Sequence, residues 1–315
     1  MSLTLLLFQA LADPTRLRIL ALLRVMELSV GELAQVLGQS QPRVSRHVKI
    51  LVQSGLVHRR KEGNWVFLTL GEDYLVSPVF AAMQQWDAGP DGAGQGQPDA
   101  EALADIARLE AVKAVRAAAA DVYFETHAAE WDAIRALHVA DDAVEKAIRQ
   151  ILGSEPCGTL VDIGTGTGHM IRVLGAQAGT VIGYDRSPAM LRVARIRLAE
   201  AGLPGVDLRQ GDMYSLPLPA ESADLAVMNQ VLHYAQQPAA AIAEAGRILA
   251  KGGRLLVVDF APHDRDDLRE RDAHVWLGFS DQQIKKWFQA AGLSCVEVMQ
   301  LKGRLTVRLW LGCRV

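Results

Sequence analysis

Glycine alternates with threonine at Gly164-Thr165-Gly166-Thr167-Gly168, directly after a short β-branched run, Thr159–Ile163. Glycines at that spacing let the backbone turn sharply and let a ligand come close to it. Nicotinamide-dependent dehydrogenases use similar loops, so the loop alone fixes no chemistry. Three further sites narrow it. The next run, Val181–Tyr184, ends in Asp185, seventeen residues after Gly168. A carboxylate there can accept both hydroxyls of an adenosine ribose. A third run, Val206–Gln210, leads into Gly211-Asp212-Met213, where Asp212 is placed to accept from the adenine amino group and Met213 to pack on its ring. The fourth, Asp224–Met228, opens onto Asn229-Gln230-Val231-Leu232-His233-Tyr234. Open α/β sheets bind their ligands at these carboxyl ends of the strands. If the chemistry needs a proton acceptor, His233, His263 and His274 are the candidates, followed at a distance by Tyr234.

A second set of residues is basic. Gln41, Arg43, Ser45, Arg46, His47 and Lys49 fall between Val44, Val48 and Leu51, which share one helical stripe. Arg59, Arg60 and Lys61 follow in a basic turn, Arg59–Asn64, between two strand-like runs. Between Leu33 and Lys61 there are six Lys or Arg and no Asp or Glu, on a chain whose formal net charge is −3. A one-signed run on an acidic chain suits a phosphate backbone: Arg can pair with guanine bidentately while Ser and Lys hold phosphates.

The elements that must carry these residues follow from local signals. Asp13-Pro14-Thr15 opens a helix, with Asp13 as its cap and Pro14 at the first position. Val30–Leu37 is a second helix stopped by Gly38, and a third runs from about Pro42 to Ser54, closed by Gly55. Two short helices across a tight turn, followed by a hairpin over Leu56–Leu70, make a winged helix-turn-helix. The segment Asp87–Ala100, DAGPDGAGQGQPDA, cannot bury enough to order itself and reads as a flexible linker spanning roughly 20 Å. Glu101–Leu152 is Ala-rich with Leu109, Val112 and Val115 at helical spacing. Within it Tyr123, His127 and Trp131 recur every fourth residue on one face, either as core packing or as a lid over a ligand. From Thr159 onward strands alternate with helices, the pattern of a mostly parallel sheet.

The domains expected are therefore a winged helix at 1–86, a linker at 87–100, a helical connector or lid at 101–152, and an α/β domain at 153–315. With 315 residues, half of them apolar or aromatic and 22% charged, each domain can bury a core. Cys157, Cys295 and Cys313 are scattered without metal-ligand spacing, so no metal site is expected, and an unpatterned odd count suits a reducing cytoplasm. Met1–Leu7 reads as the start of a helix and not a leader, and no apolar run approaches the roughly 20 residues that span a bilayer.

Two resemblances sharpen these readings. ADPTRLRILALL, SQPRVSRHVKILVQSGLV and RRKEGNWVFLTL resemble the arsenic-repressor (ArsR) family of bacterial regulators over most of residues 8–70. That resemblance implies a homodimer on palindromic operator DNA, with half-sites about one turn apart. Metal-sensing members carry paired cysteines in an ELCVCDL-type motif; here Ser29 and Gly31 stand at those positions, so a thiolate sensor is excluded there. VDIGTGTG, YDRSPAML, GDMYSLPL, ADLAVMNQVLHY and ILAKGGRLLVVDF resemble class I methyltransferases dependent on S-adenosylmethionine (SAM), from Thr159 to about Phe260. The resemblance implies a Rossmann-like domain with a mostly parallel seven-stranded sheet. It implies Asp162, Gly164, Gly166 and Gly168 around the methionine part of SAM, Asp185 on the ribose, and Met190, Met213 and Asp212 around the adenine. Asn229, at the carboxyl end of its strand, is a further candidate for cofactor binding, with Tyr123 and His127 near the methionine end if the aromatic helix is a lid.

The acceptor is open at this level. Gln230-Val231 follows Asn229 where amino-methylating DNA methyltransferases carry Pro-Pro-aromatic, and three scattered cysteines do not match the arsenite methyltransferases. The nearest likeness is to the branch that methylates ubiquinone and menaquinone precursors, which implies a small organic acceptor. Three readings stand. One is a DNA-binding regulator with a working methyltransferase domain; another is a regulator whose domain only senses SAM or S-adenosylhomocysteine (SAH). In the third, an enzyme uses its winged helix to dimerise, and the one-signed basic run argues against it.

Overall fold

The computed structural model describes residues 3–62, 65–88, 100–136, 140–203 and 205–315. The chain divides into two compact units, Met1–Ala117 and Ala118–Val315.

The first unit holds α1 (Leu3–Leu11), α2 (Pro14–Val25), β1 (Leu28–Ser29), α3 (Val30–Leu37), α4 (Gln41–Gln53), β2 (Val57–Glu62), β3 (Trp65–Leu70), α5 (Asp73–Ala88) and the first part of α6 (Ala100–His127). Asp13 caps α2 by accepting from the Arg16 amide at 3.1 Å, and Pro14 fills the first turn, where no amide is needed. Ser29 and Glu32 form a reciprocal capping box on α3, and Gly38 ends it at φ +63°. The residue standing where a metal-sensing relative has a thiolate is thus a helix cap. The three strands pair antiparallel in the order β1-β3-β2. β2 extends through Arg59, Arg60 and Lys61 to Glu62, so these residues lie on a strand and not in the turn expected for them. Antiparallel pairing across Lys61↔Val66 and Glu62↔Trp65 leaves only 63–64 between the strands, and these lie outside the described residues.

Ile19, Leu20, Leu33, Val44, Val48 and Leu51 form the centre of this unit's core, and Leu109 and Val112 of α6 join it. Val115, grouped with them by spacing, is 68% exposed. Ion pairs hold α6 to the same unit, among them Arg18 Nε to Asp105 Oδ2 at 2.6 Å, Arg18 Nη1 to Glu101 Oε2 at 2.7 Å, and Arg116 Nη2 to Glu32 Oε1 at 2.6 Å. Of the expected linker, residues 89–99 lie outside the described residues, while Asp87 and Ala88 end α5 and Ala100 begins α6.

The second unit continues with α7 (Trp131–Ala136), α8 (Asp141–Leu152), β4 (Cys157–Ile163), α9 (His169–Leu174), β5 (Ala178–Asp185), α10 (Pro188–Glu200), β6 (Asp207–Gln210) and β7 (Ala223–Asn229). A 3-10 turn (Leu232–Tyr234), α11 (Pro238–Ile248), β8 (Leu249–Phe260), α12 (Asp267–Arg271), α13 (Asp281–Ala290), β9 (Leu293–Leu301) and β10 (Val307–Arg314) complete it. Among the described residues the stretch 101–152, continuous in its sequence pattern, is thus three helices. The α/β class expected is the one found: a seven-stranded sheet in the order β6-β5-β4-β7-β8-β10-β9. The first five are parallel, and β10 runs antiparallel between β8 and β9. Alternate residues serve opposite faces, as a pleated strand requires. Val161, Ala226 and Val257 pack with α11 and α13, whereas Leu160, Val227 and Val258 pack with α8 and α9. Both faces are covered, which explains the near-continuous apolar runs of the parallel strands. Among the described residues no helix is long and apolar enough to cross a membrane.

Candidate functional site

β4 ends at Ile163 and the backbone then turns through three left-handed glycines, Gly164 at φ +73°, Gly166 at +54° and Gly168 at +81°. The amides of Gly164 and Thr165 both donate to the Tyr184 carbonyl at 2.8 Å, which ties the loop to the end of β5. A Cβ on Gly164 would lie 2.3 Å from Val231 Cγ2. The loop is therefore glycine for two reasons, its torsion and the close approach of the segment after β7.

Asp185 stands at the tip of β5. Its Oδ2 accepts from the Gly166 amide and its Oδ1 from the Ser187 amide, both at 2.8 Å. Burial pushes its carboxyl up to about 6, against the opposing pull of those backbone donors. Each oxygen keeps a lone pair beyond its backbone bond, which suits a vicinal diol. Asp162 is buried under the loop, and its Oδ2 accepts from the Thr165 hydroxyl at 2.6 Å. Asn229, at the end of β7, has a buried Oδ1 with no partner among the described residues. An orphaned acceptor of this kind costs about 1–3 kcal/mol, so it marks a place where a ligand donor fits. Asp212 is exposed and caps its own turn by accepting from the Tyr214 amide at 3.0 Å, while Met213 is half-buried against the main core. The left-handed loop, the diol acceptor and the orphaned Asn229 oxygen together fit an adenosyl ligand.

Tyr123, Trp131, Ala189 and Met190 form a small separate cluster with Phe124 and Tyr234 against it. The helix carrying Tyr123 and His127 ends at His127, so Trp131 joins them across a turn and not along one helical face. His127 Nδ1 donates to the Tyr123 carbonyl at 2.8 Å, and the two rings lie 4.5 Å apart. The Tyr123 hydroxyl donates to Asp272 at 3.3 Å; burial, reinforced by Asp272, pushes it well above the usual phenol range. Trp131 Nε1 lies 3.5 Å from where a Gly166 Cβ would stand, so this cluster borders the glycine loop.

Beside it lies a small cavity of about 10 Å³, room for one water, lined by Trp131, Ile134, Gln230, His233, Tyr234, Phe260, Asp272 and His274. The rings of His233 and His274 lie 4.2 Å apart. His263 lines a separate groove with Arg265, Arg304 and Arg308. Sequence reasoning missed Asp259, whose Oδ1 lies 2.8 Å from His233 Nδ1 and whose Oδ2 accepts from the His233 amide at 3.2 Å. The signal was a carboxylate inside the apolar run Leu255–Phe260. Gln230 was also missed: it is buried and left-handed at φ +51°, an uncommon torsion for a non-glycine residue.

In the first unit α4 buries Val44, Val48 and Leu51 completely and leaves Gln41, Arg43, Arg46 and Lys49 exposed. Ser45 and His47 are half-buried, and His47 Nδ1 lies 3.6 Å from Asp13 Oδ1, turned toward the start of α2. Arg59 is exposed on β2; Arg60 is committed to an ion pair with Glu27; the Lys61 side chain lies outside the described residues. One face of α4 is thus core and the other is cationic.

These features define a class: a winged helix-turn-helix unit joined to a Rossmann-like methyltransferase fold. Residues 13–59 match the family model of bacterial regulatory proteins of the arsR family, and residues 161–257 match that of a methyltransferase domain. The chain therefore carries an arsR-family helix-turn-helix domain followed by a methyltransferase domain. It is 51% identical over 65 residues to the arsenical resistance operon repressor of Escherichia coli K12, covering 20% of this chain and 56% of that one. It is 34% identical over 106 residues to the uncharacterized methyltransferase YcgJ of Bacillus subtilis 168, covering 33% of this chain and 42% of that one. The fold is shared with geranyl diphosphate methyltransferase in complex with SAM, at a TM-score of 0.50 and 20% identity, over 58% of this chain and 88% of that one. The chain spans between 31% and 56% of the length of the first curated relatives it matches.

Proposed function

We propose that this chain is a DNA-binding transcriptional regulator whose second unit binds SAM and methylates a small organic acceptor, releasing SAH. The observation that carries the reading is the left-handed glycine loop closed onto Asp185. Gly164, Gly166 and Gly168, over Asp162, hold the methionine part; Asp185 accepts from the ribose hydroxyls; Met190, Asp212 and Met213 surround the adenine; and Asn229 faces the reacting end. Bound SAM supplies an electrophilic methyl group on a sulfonium. The protein's part is to orient the acceptor and to exclude water with Tyr123, His127 and Trp131. The cationic face of α4, with Gln41, Arg43, Arg46 and Lys49, enters the major groove, supported by Ser45 and by Arg59 of the wing. A second copy completes a homodimer on operator DNA, and such a regulator works where the DNA is, in the cytoplasm.

The test takes the full chain through two measurements. Calorimetric titration with SAH gives saturable one-site binding, and selection from a random duplex library returns a two-fold symmetric sequence. Absence of any heat with SAH or SAM removes the cofactor assignment. Failure to enrich a sequence removes the regulator assignment. Repeating the DNA measurement with SAM or SAH present decides whether either is also an effector.

A further inference from the structure

We propose that Asp132 is a positioning residue for the cofactor site: its carboxylate latches α7 onto the glycine loop and so sets how fast the cofactor leaves. The inference rests on the SAM reading above and adds to it the contact that governs cofactor exchange.

The two threonines of the loop serve two different carboxylates. Thr165 donates to the buried Asp162, while the Thr167 hydroxyl donates to Asp132 Oδ1 at 2.7 Å. Asp132 Oδ2 pairs with the Arg197 guanidinium of α10 and lies 3.7 Å from Arg172 Nη2 of α9. Arg197 Nη2 also donates to the Ala129 carbonyl at 3.4 Å, in the turn between α6 and α7. An acidic residue in the first turn of a helix is favourable by itself, but that role requires no partner outside the helix. Here one carboxylate is held by the loop, by α9 and by α10.

Its neighbour Trp131 stands against the loop, with Nε1 3.5 Å from where a Gly166 Cβ would lie. Gly166 is the residue whose amide donates to Asp185. Met190, placed beside the adenine above, packs in the same cluster as Trp131. The start of α7 therefore borders the proposed site on its loop side and on its adenine side, and moving it away uncovers both.

Two kinds of contact fasten this segment. Apolar packing buries Trp131 beside Phe124, ring centroids 5.3 Å apart, but such packing is non-directional and tolerates sliding. The ion pair and the hydroxyl contact supply direction, so they fix where the indole rests on Gly166. Asp132 and Arg197 are each about a quarter exposed, so water can take over their hydrogen bonds as they part. Thr167 is buried, and its hydroxyl loses its acceptor when Asp132 withdraws, which favours return to the latched state.

The experiment uses the full chain as wild type, Asp132→Asn, Arg197→Gln and the double variant, with SAH as the probe. Stopped-flow tryptophan fluorescence reads association and dissociation, and melting temperatures are taken without ligand. Each single variant is expected to speed SAH dissociation by about 10-fold, the range for one hydrogen bond to a charged group, with association no slower. The double variant is no faster than the singles, because both remove one shared contact. Unchanged dissociation with a lower melting temperature marks a merely structural role and overturns the proposal, as do slower association and additive effects. Should a variant not fold, the wild type decides. Dissociation that rises at least about threefold between about 0.05 M and about 1 M sodium chloride supports the ion pair, and a flat rate overturns it. A wild type that binds no SAH by calorimetry overturns the cofactor reading first, and this one with it.

Discussion

Asp185 holds two demands at once. It must be ionised to accept from two hydroxyls, yet its burial favours the neutral acid and sets its carboxyl at about 6. A buried acid shifted upward is stabilising when protonated, and that contribution is lost as pH rises through about 6. Ligand binding runs the other way. SAH affinity is expected to be flat from pH 8 to 7 and to fall as pH drops through about 6, read by calorimetry at each pH. Asp185→Asn removes most of that dependence and weakens binding by about 10- to 100-fold, the range for hydrogen bonds to a charged group. Gly164 gives a steric counterpart. Gly164→Ala meets Val231 at 2.3 Å in a left-handed torsion, so loss of SAH binding and a lower melting temperature are expected. Gly205→Ala, with nothing within 4 Å of the added methyl, changes stability by no more than about 0.5 kcal/mol. The glycine loop was legible because left-handed torsions demand a residue type that few other roles need. Asp259 was not, since its meaning depends on a histidine 26 positions away in sequence.

At the scale of elements, α4 separates its core stripe from its cations, and DNA affinity is expected to follow the exposed set. Arg43→Ala and Arg46→Ala on a random-sequence duplex each reduce the slope of log affinity against log salt by about one if the side chain neutralises a phosphate. A residue that reads a base instead leaves the slope and relaxes the selected sequence. Arg60→Ala leaves the slope unchanged, because its guanidinium is occupied by Glu27. Helix ends were legible from caps: Asp13 and Gly38 act where their types suggest, whereas the Ser29 capping box was not read from the sequence. The wing was less so. Arg59–Lys61 resemble a turn by composition, but antiparallel pairing with β3 carries them as strand, and pairing is non-local information.

Among the described residues the first unit has one core cluster and the second has three, and part of α6 belongs to the first unit's. Leu109 is 2% exposed in that core. Leu109→Ala is therefore expected to destabilise the N-terminal unit by about 2–5 kcal/mol. The check is faster hydrogen exchange at the amides of Ile19 and Leu20 in urea, with those of β4 unaffected. Composition placed a boundary in the Gly- and Pro-rich segment, whereas compactness divides the chain between Ala117 and Ala118. Helical periodicity shows that a helix exists but not which core its apolar side will enter.

The position of β10 between β8 and β9 has a consequence during synthesis. β9 leaves the ribosome before the strand that joins it to the sheet, so it waits beside an unfinished edge until residues 307–314 emerge. For that interval β8 and β9 each expose backbone that only the later strand can satisfy, an invitation to chaperones and to wrong partners. Stalling translation near residue 301 and again past residue 314 should give nascent chains that differ sharply in protease resistance.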